Sequence, residues 1–137
     1  MKKILYFLVP LICLFSINNV KANSIYSISM DIYITADGDA KVTETWDTKL
    51  TKGTEGYKPY YNLGSSEITD FKVKMDSVEF ESLSSWNPKS SFSTKAYKSG
   101  INYIDDGLEL CFGITKYGRQ TYTLSYTINN FVYRTND

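Results

Sequence analysis

Histidine is absent from the 137 residues, and cysteine and tryptophan occur only twice each and proline three times. Without histidine, the Ser-His-Asp and Cys-His constellations are excluded, and so is the commonest protein ligand of zinc. Fifteen basic and fifteen acidic side chains cancel to a formal net charge of zero. That balance argues against a nucleic-acid binder, which needs a basic face to displace counterions from phosphates. No glycine-rich phosphate loop is present, and no Asn-x-Ser/Thr acceptor. Two acidic turns, Asp37-Gly38-Asp39 and Asp105-Asp106-Gly107, carry oxygen ligands without the spacing of a calcium loop. Both are accounted for by the backbone needs of tight turns. No metal or other cofactor is therefore expected. No pair of carboxylates is spaced as glycoside hydrolysis requires, so no catalytic residue is assigned and no enzyme is expected.

What is present begins with an address. Lys2 and Lys3 precede an uncharged apolar run over residues 4–17, and the polar stretch Asn18-Asn19-Val20-Lys21-Ala22 follows. This is the order of a secretory signal peptide, with Val20 and Ala22 as the small residues at the cleavage site. The run is shorter than the roughly 20 residues that span a bilayer, and Pro10 interrupts it. Cleavage after Ala22 removes Lys2, Lys3, Lys21 and Cys13. Twelve basic residues then face fifteen acidic ones, a net charge of −3, and Cys111 is the sole remaining thiol. A single exported domain over residues 23–137, without a disulfide, is the expected organisation.

That domain reads as all-β. Over residues 25–35, Ile28, Met30, Ile32 and Ile34 alternate with Ser27, Ser29, Asp31 and Tyr33, which predicts a strand with one buried face. Asp37-Gly38 is a hairpin signal, and residues 40–50 return with Val42, Trp46, Thr48 and Leu50 on one side. Residues 51–66 hold Gly53, Gly56, Pro59 and Gly64 and predict a long loop. Strands are expected over 68–75, with a bulge near Thr69-Asp70, and over 78–83. Residues 93–99 predict two helical turns ended by Gly100. A second hairpin over 101–114 and a cleanly alternating strand over 120–128 complete the chain. About seven short strands with frequent turns imply an antiparallel β-sandwich, immunoglobulin-like in the broad sense, with one short helix.

Three features carry possible chemistry. Glu44 lies between Val42 and Trp46 on the face that should be buried, where an unpaired carboxylate is costly. Arg119 is the proposed partner of a buried ion pair, because guanidinium can hold a carboxylate bidentately. A bulge that turns Glu44 outward and a functional carboxylate stand as alternatives. In the stretch 54–63, Tyr57, Lys58, Tyr60 and Tyr61 surround Pro59. Tyrosines on a loop at the end of a rigid sandwich serve recognition, or they cap the open end of the core. Trp86, in a serine-rich segment, has the same two readings.

The order of these features resembles a known family. Its marks are Asp37-Gly38, Val42-Thr43-Glu44-Thr45-Trp46, the Gly56-Tyr57-Lys58-Pro59 stretch, Ile68-Thr69-Asp70-Phe71-Lys72-Val73 and Tyr122-Thr123-Leu124-Ser125-Tyr126-Thr127. Together they resemble the N-terminal extracytoplasmic region of the bacterial membrane proteins grouped as domain of unknown function 2207. The resemblance covers about residues 25–133. It departs from the expected pattern at Lys58-Pro59-Tyr60-Tyr61, where an arginine and an Asp-Ile-Pro-like stretch would stand. The resemblance implies an exported β-domain followed by transmembrane helices, so membrane attachment downstream of Asp137 is expected. It implies topology and no activity. The expected function is a non-enzymatic ectodomain, secreted or held at the cell surface, whose partner is an envelope protein or cell-wall component. The alternative is a secreted carbohydrate-binding or adhesive module stacking sugars on Tyr57, Tyr60, Tyr61 and Trp86.

Overall fold

A computed structural model describes residues 22–132. The leader expected over residues 1–22 lies, but for Ala22, outside them, as does the chain around Asp137. Nine strands form two facing sheets. The larger has the order β1 (Ser24–Ile34), β2 (Ala40–Leu50), β9 (Gly118–Asn129), β4 (Glu67–Met75), β5 (Val78–Glu79). The smaller has the order β3 (Glu55–Tyr61), β8 (Gly107–Gly113), β7 (Lys98–Ile104), β6 (Glu81–Ser82). All neighbours run antiparallel except β6 and β7. The expected all-β sandwich is the architecture found.

The core follows from period-two alternation in β2, β4, β8 and β9. Ala40, Val42, Trp46 and Leu50 point inward from β2, and Tyr122, Leu124, Tyr126 and Ile128 from β9. They meet Leu108, Leu110 and Phe112 of β8. Aromatic edges lock the two layers together: Trp46 meets Phe112 at 6.0 Å between centroids, and Phe112 meets Tyr122 at 4.7 Å. The expected bulge in β4 is present, with the register shifting between Thr69 and Lys72 and Asp70 at φ 56°. At the β1–β2 turn, Gly38 has φ 88°, and a Cβ there would meet the Val132 carbonyl at 2.7 Å. Only glycine satisfies both demands.

Four expectations are corrected. Residues 51–66 are not one loop, because β3 occupies Glu55–Tyr61. Its breakers are accommodated: Pro59 sits on a strand at the end of its sheet, and Gly56 lies under the Phe112 ring, with a Cβ position 2.4 Å from Cζ. The strand expected over 78–83 is divided, β5 staying with the larger sheet while β6 joins the smaller, and buried Phe80 stands at the crossing. The helix is a single turn, α1 (Phe92–Lys95), capped by the Ser91 hydroxyl, and Gly100 belongs to β7. The fourth correction concerns β1. Its residues pair with β2 in the expected register, yet Ile28, Met30, Ile32 and Ile34 are exposed. The larger sheet extends one strand beyond the smaller, so among the described residues nothing covers β1.

Candidate functional site

The polar cluster of interest forms where β2, β3 and β9 meet. Period two turns Glu44 inward from β2, and Tyr126 inward from β9. The same period turns Lys58 and Tyr60 inward from β3, with Tyr57, Pro59 and Tyr61 outward. Glu44 is completely buried. Its Oε2 accepts a hydrogen bond from Trp46 Nε1 at 2.8 Å, and its Oε1 accepts from Lys58 Nζ and from the Tyr126 hydroxyl. Lys58 Nζ also donates to the Tyr126 hydroxyl at 3.1 Å and lies 5.1 Å from the centre of the Tyr60 ring. The Tyr60 and Tyr126 hydroxyls are hydrogen-bonded to each other. Tyr126 has one proton and gives it to Glu44, so Tyr60 is the donor of that pair.

The electrostatics follow from this geometry. Burial alone pushes the Glu44 carboxyl up. The hydrogen bonds from Lys58, Tyr126 and Trp46, together with the Lys58 charge, outweigh it and hold the group below its ordinary value. Burial pushes the Tyr126 phenol up, and donation to the Glu44 carboxylate adds to the effect. Glu44 is thus an anion held by three donors, a poor proton acceptor at neutral pH. The hollows bordered by Lys72 and Glu79, and by Phe71 and Tyr103, lie away from it.

The buried ion pair expected between Glu44 and Arg119 is not formed. Lys58 is the partner of Glu44. Arg119 has outward parity on β9 and holds Asp47 of β2 through two bonds, of 3.0 and 2.6 Å, on the exposed face. Arg119 also lies 5.0 Å from the Tyr26 ring centre. Lys58 escaped notice as the partner because its inward parity exists only if residues 55–61 form a strand.

The aromatic residues separate. Tyr57 and Tyr61 are 54% and 55% exposed on the outer face of β3, while Tyr60 belongs to the Glu44 cluster. Trp86 is buried, donating Nε1 to Glu55 Oε2 at 2.7 Å and covering Gly100 of β7. A second buried ion pair, unexpected from sequence, sits beside it. Lys95 of α1 is 2% exposed, pairs with Glu55 at 2.6 Å, and donates to the Pro88 carbonyl and Thr54 hydroxyl. Its ammonium lies 5.7 Å from the Trp86 ring centre. Cys111 lies buried on the same sheet, and burial, with the charges of Glu55 and Glu109, pushes its thiol up to about 12. Among the described residues, no three of Cys, Asp and Glu converge as a metal would require.

No curated protein and no solved structure matches the chain. The model of one family, described as the N-terminal domain of a predicted membrane protein, matches residues 24–137. That span takes in all nine strands, the Glu44 cluster and the Trp86–Glu55–Lys95 group. The chain therefore belongs to the family of domain of unknown function 2207, as the N-terminal domain of a predicted membrane protein.

Proposed function

We propose that this chain is an exported, extracytoplasmic interaction domain without catalytic activity, which docks onto a protein or wall component of the cell envelope. The observation that carries the reading is the uncovered apolar face of β1. Ile28, Met30, Ile32 and Ile34 share one side of a strand at the sheet edge, and no second layer of the described residues lies over them. An apolar surface of this kind marks a contact with another macromolecule. The fully buried Glu44 carboxylate already accepts three hydrogen bonds from its neighbours, which favours a structural role for it. The test has two arms. Alkaline phosphatase fused after Asp137 should be active only with residues 1–22 present. The purified chain should bind isolated envelopes, and Ile32→Asp should reduce that binding more than tenfold. Binding indifferent to Ile32→Asp would remove the basis of the reading.

A carbohydrate-binding role has one favourable observation. Tyr57 and Tyr61 project from the same outer face of β3 on either side of Pro59, beside the Asn102–Glu109 pair on the neighbouring strands. Trp86 and Tyr60 are not available to that surface. Sugar-array binding lost on Tyr57→Ala and Tyr61→Ala, but kept on Ile32→Asp, would favour this second reading.

A further inference from the structure

We infer that the occupant of the β1 face is a second copy of this chain, its β1 laid against β1 of the first. The inference rests on the interaction reading above and names the partner. Ile25, Ile28, Met30, Ile32 and Ile34 fall opposite the inward residues of β2 in the β1–β2 register. They form one floor continuous with the core. Each is between 42% and 57% exposed. The floor therefore presents roughly 450 Å² of apolar surface, within the size range of functional patches on a monomer.

The shape is its own complement. The larger sheet ends at β1 and the smaller at β3. Lys58 of β3 reaches Glu44 of β2, which places β3 opposite β2. Among the described residues, what is vacant opposite β1 is therefore the width of one strand, and what overhangs is one strand. A two-fold axis along β1, midway between the layers, puts the β1 of each copy into the vacancy of the other. Each side chain then meets its own counterpart, Ile28 against Ile28 and Ile34 against Ile34. No charge stands on the floor, so self-pairing meets no like-charge repulsion.

Two floors bury roughly 900 Å² before the rim is counted, below the roughly 1,200 Å² of stable interfaces and within the range of transient ones. A reversible dimer follows, strengthened where copies are concentrated on one membrane.

The experiment uses single cysteines in the full chain in its own membranes, with Cys13 replaced by serine and Cys111 buried. A short bismaleimide should join copies carrying Ile28→Cys or Ile34→Cys at least tenfold more than copies carrying Ser29→Cys on the opposite face. Adding Ile32→Asp should abolish the product without changing the melting temperature. Cross-linking at Met30→Cys but not at Ile34→Cys would mean antiparallel edge pairing and overturn the arrangement. No cross-linking at any floor position would overturn the dimer. Envelopes from cells lacking the gene provide the last distinction. Ile32-dependent binding to them would overturn the second copy as occupant while leaving the interaction reading in place.

Discussion

Lys58→Met tests whether the Glu44 cluster is a coupled unit. The substitution keeps the length of the stem and removes the ammonium, leaving a carboxylate 1% exposed without its counter-ion. Breaking a buried pair from one side costs about 3–5 kcal/mol. Glu44 keeps its bonds from Trp46 and Tyr126, so the lower end, about 3 kcal/mol at pH 7, is expected. For a domain of this size that lowers Tm by about 10–15 °C. The pH dependence gives the sharper reading. In the parent chain the Glu44 carboxyl lies below its ordinary value. Its contribution is complete above the unfolded value and is lost as pH falls through the folded one. Burial is already the largest single influence, and without Lys58 only the bonds from Tyr126 and Trp46 oppose it, so the folded value is expected to rise above the unfolded one. Lys58→Met then loses stability as pH rises through that raised value and regains it toward acid. Thermal melts from pH 7 down to pH 4 should show the gap between the two proteins closing. Glu44→Gln, which frees the partly exposed Lys58 to reach solvent, should cost less, about 2 kcal/mol. The double variant should cost less than the sum of the two. Arg119→Ala, which removes a solvent-exposed side chain from Asp47 and from the Tyr26 ring, should leave the melts nearly unchanged. A Lys58→Met cost below about 1 kcal/mol, or a gap constant across the pH range, would refute the reasoning.

Two further outcomes follow from the smaller sheet. A Cβ on Gly113 would lie 1.8 Å from the Lys95 carbonyl oxygen, so Gly113→Ala must push α1 off the sheet. A loss of about 2–3 kcal/mol in urea unfolding is expected, with Trp86 fluorescence shifting as its cover loosens. The second outcome concerns Cys111. With its thiol pushed up to about 12, only on the order of one in ten thousand is thiolate at pH 8. Labelling by a maleimide should therefore follow global unfolding in denaturant, and rapid labelling of the native chain would show that the face beneath Trp86 opens.

Much of the sandwich is legible in the sequence because alternation reports burial directly. The inward positions of β2, β4, β8 and β9 are mostly apolar, and each of these strands lies under the opposite sheet. Where alternation failed, the reason is physical. In β1 the pattern is as regular as in β2, but period two tells only which residues share a face. Whether a second layer reaches that face depends on how many strands each sheet has. In β3 the composition of a loop hid a strand, because an edge position tolerates Pro59 and close contact with Phe112 requires Gly56. Once β3 was missed, the inward parity of Lys58 was invisible, and the buried carboxylate was assigned to Arg119. The Lys95–Glu55 pair had no signal at all. A lysine in a single helical turn is buried only because Trp86, Pro88 and Thr54 happen to surround it.

The two neighbouring sheet edges are treated in opposite ways, and the difference explains Glu44. An open edge invites pairing with another chain, and proteins blunt it with proline or with charged residues pointing inward. β3 has both: Pro59 lacks an amide to donate, and Lys58 points into the sandwich. An inward lysine is tolerable only if something inside neutralises it. Glu44, directly opposite on β2, does so with the help of Tyr126 and Trp46. In this view the carboxylate is the counterweight to an edge guard. β1, whose Met30 is register-paired with Glu44, has neither proline nor lysine over its eleven residues. Its only charge, Asp31, is on the face away from the floor. Guarding the shorter sheet while leaving the overhanging strand apolar restricts contact to one face. Lys58→Val should therefore do more than destabilise the cluster. It should unblunt β3, so that the partner's β1, which the two-fold arrangement sets beside it, can pair with it edge to edge, and sedimentation velocity should then show a tighter dimer than the parent's. A Lys58→Val protein that stays folded and dimerises no more tightly than the parent would argue that β3 needs no guard.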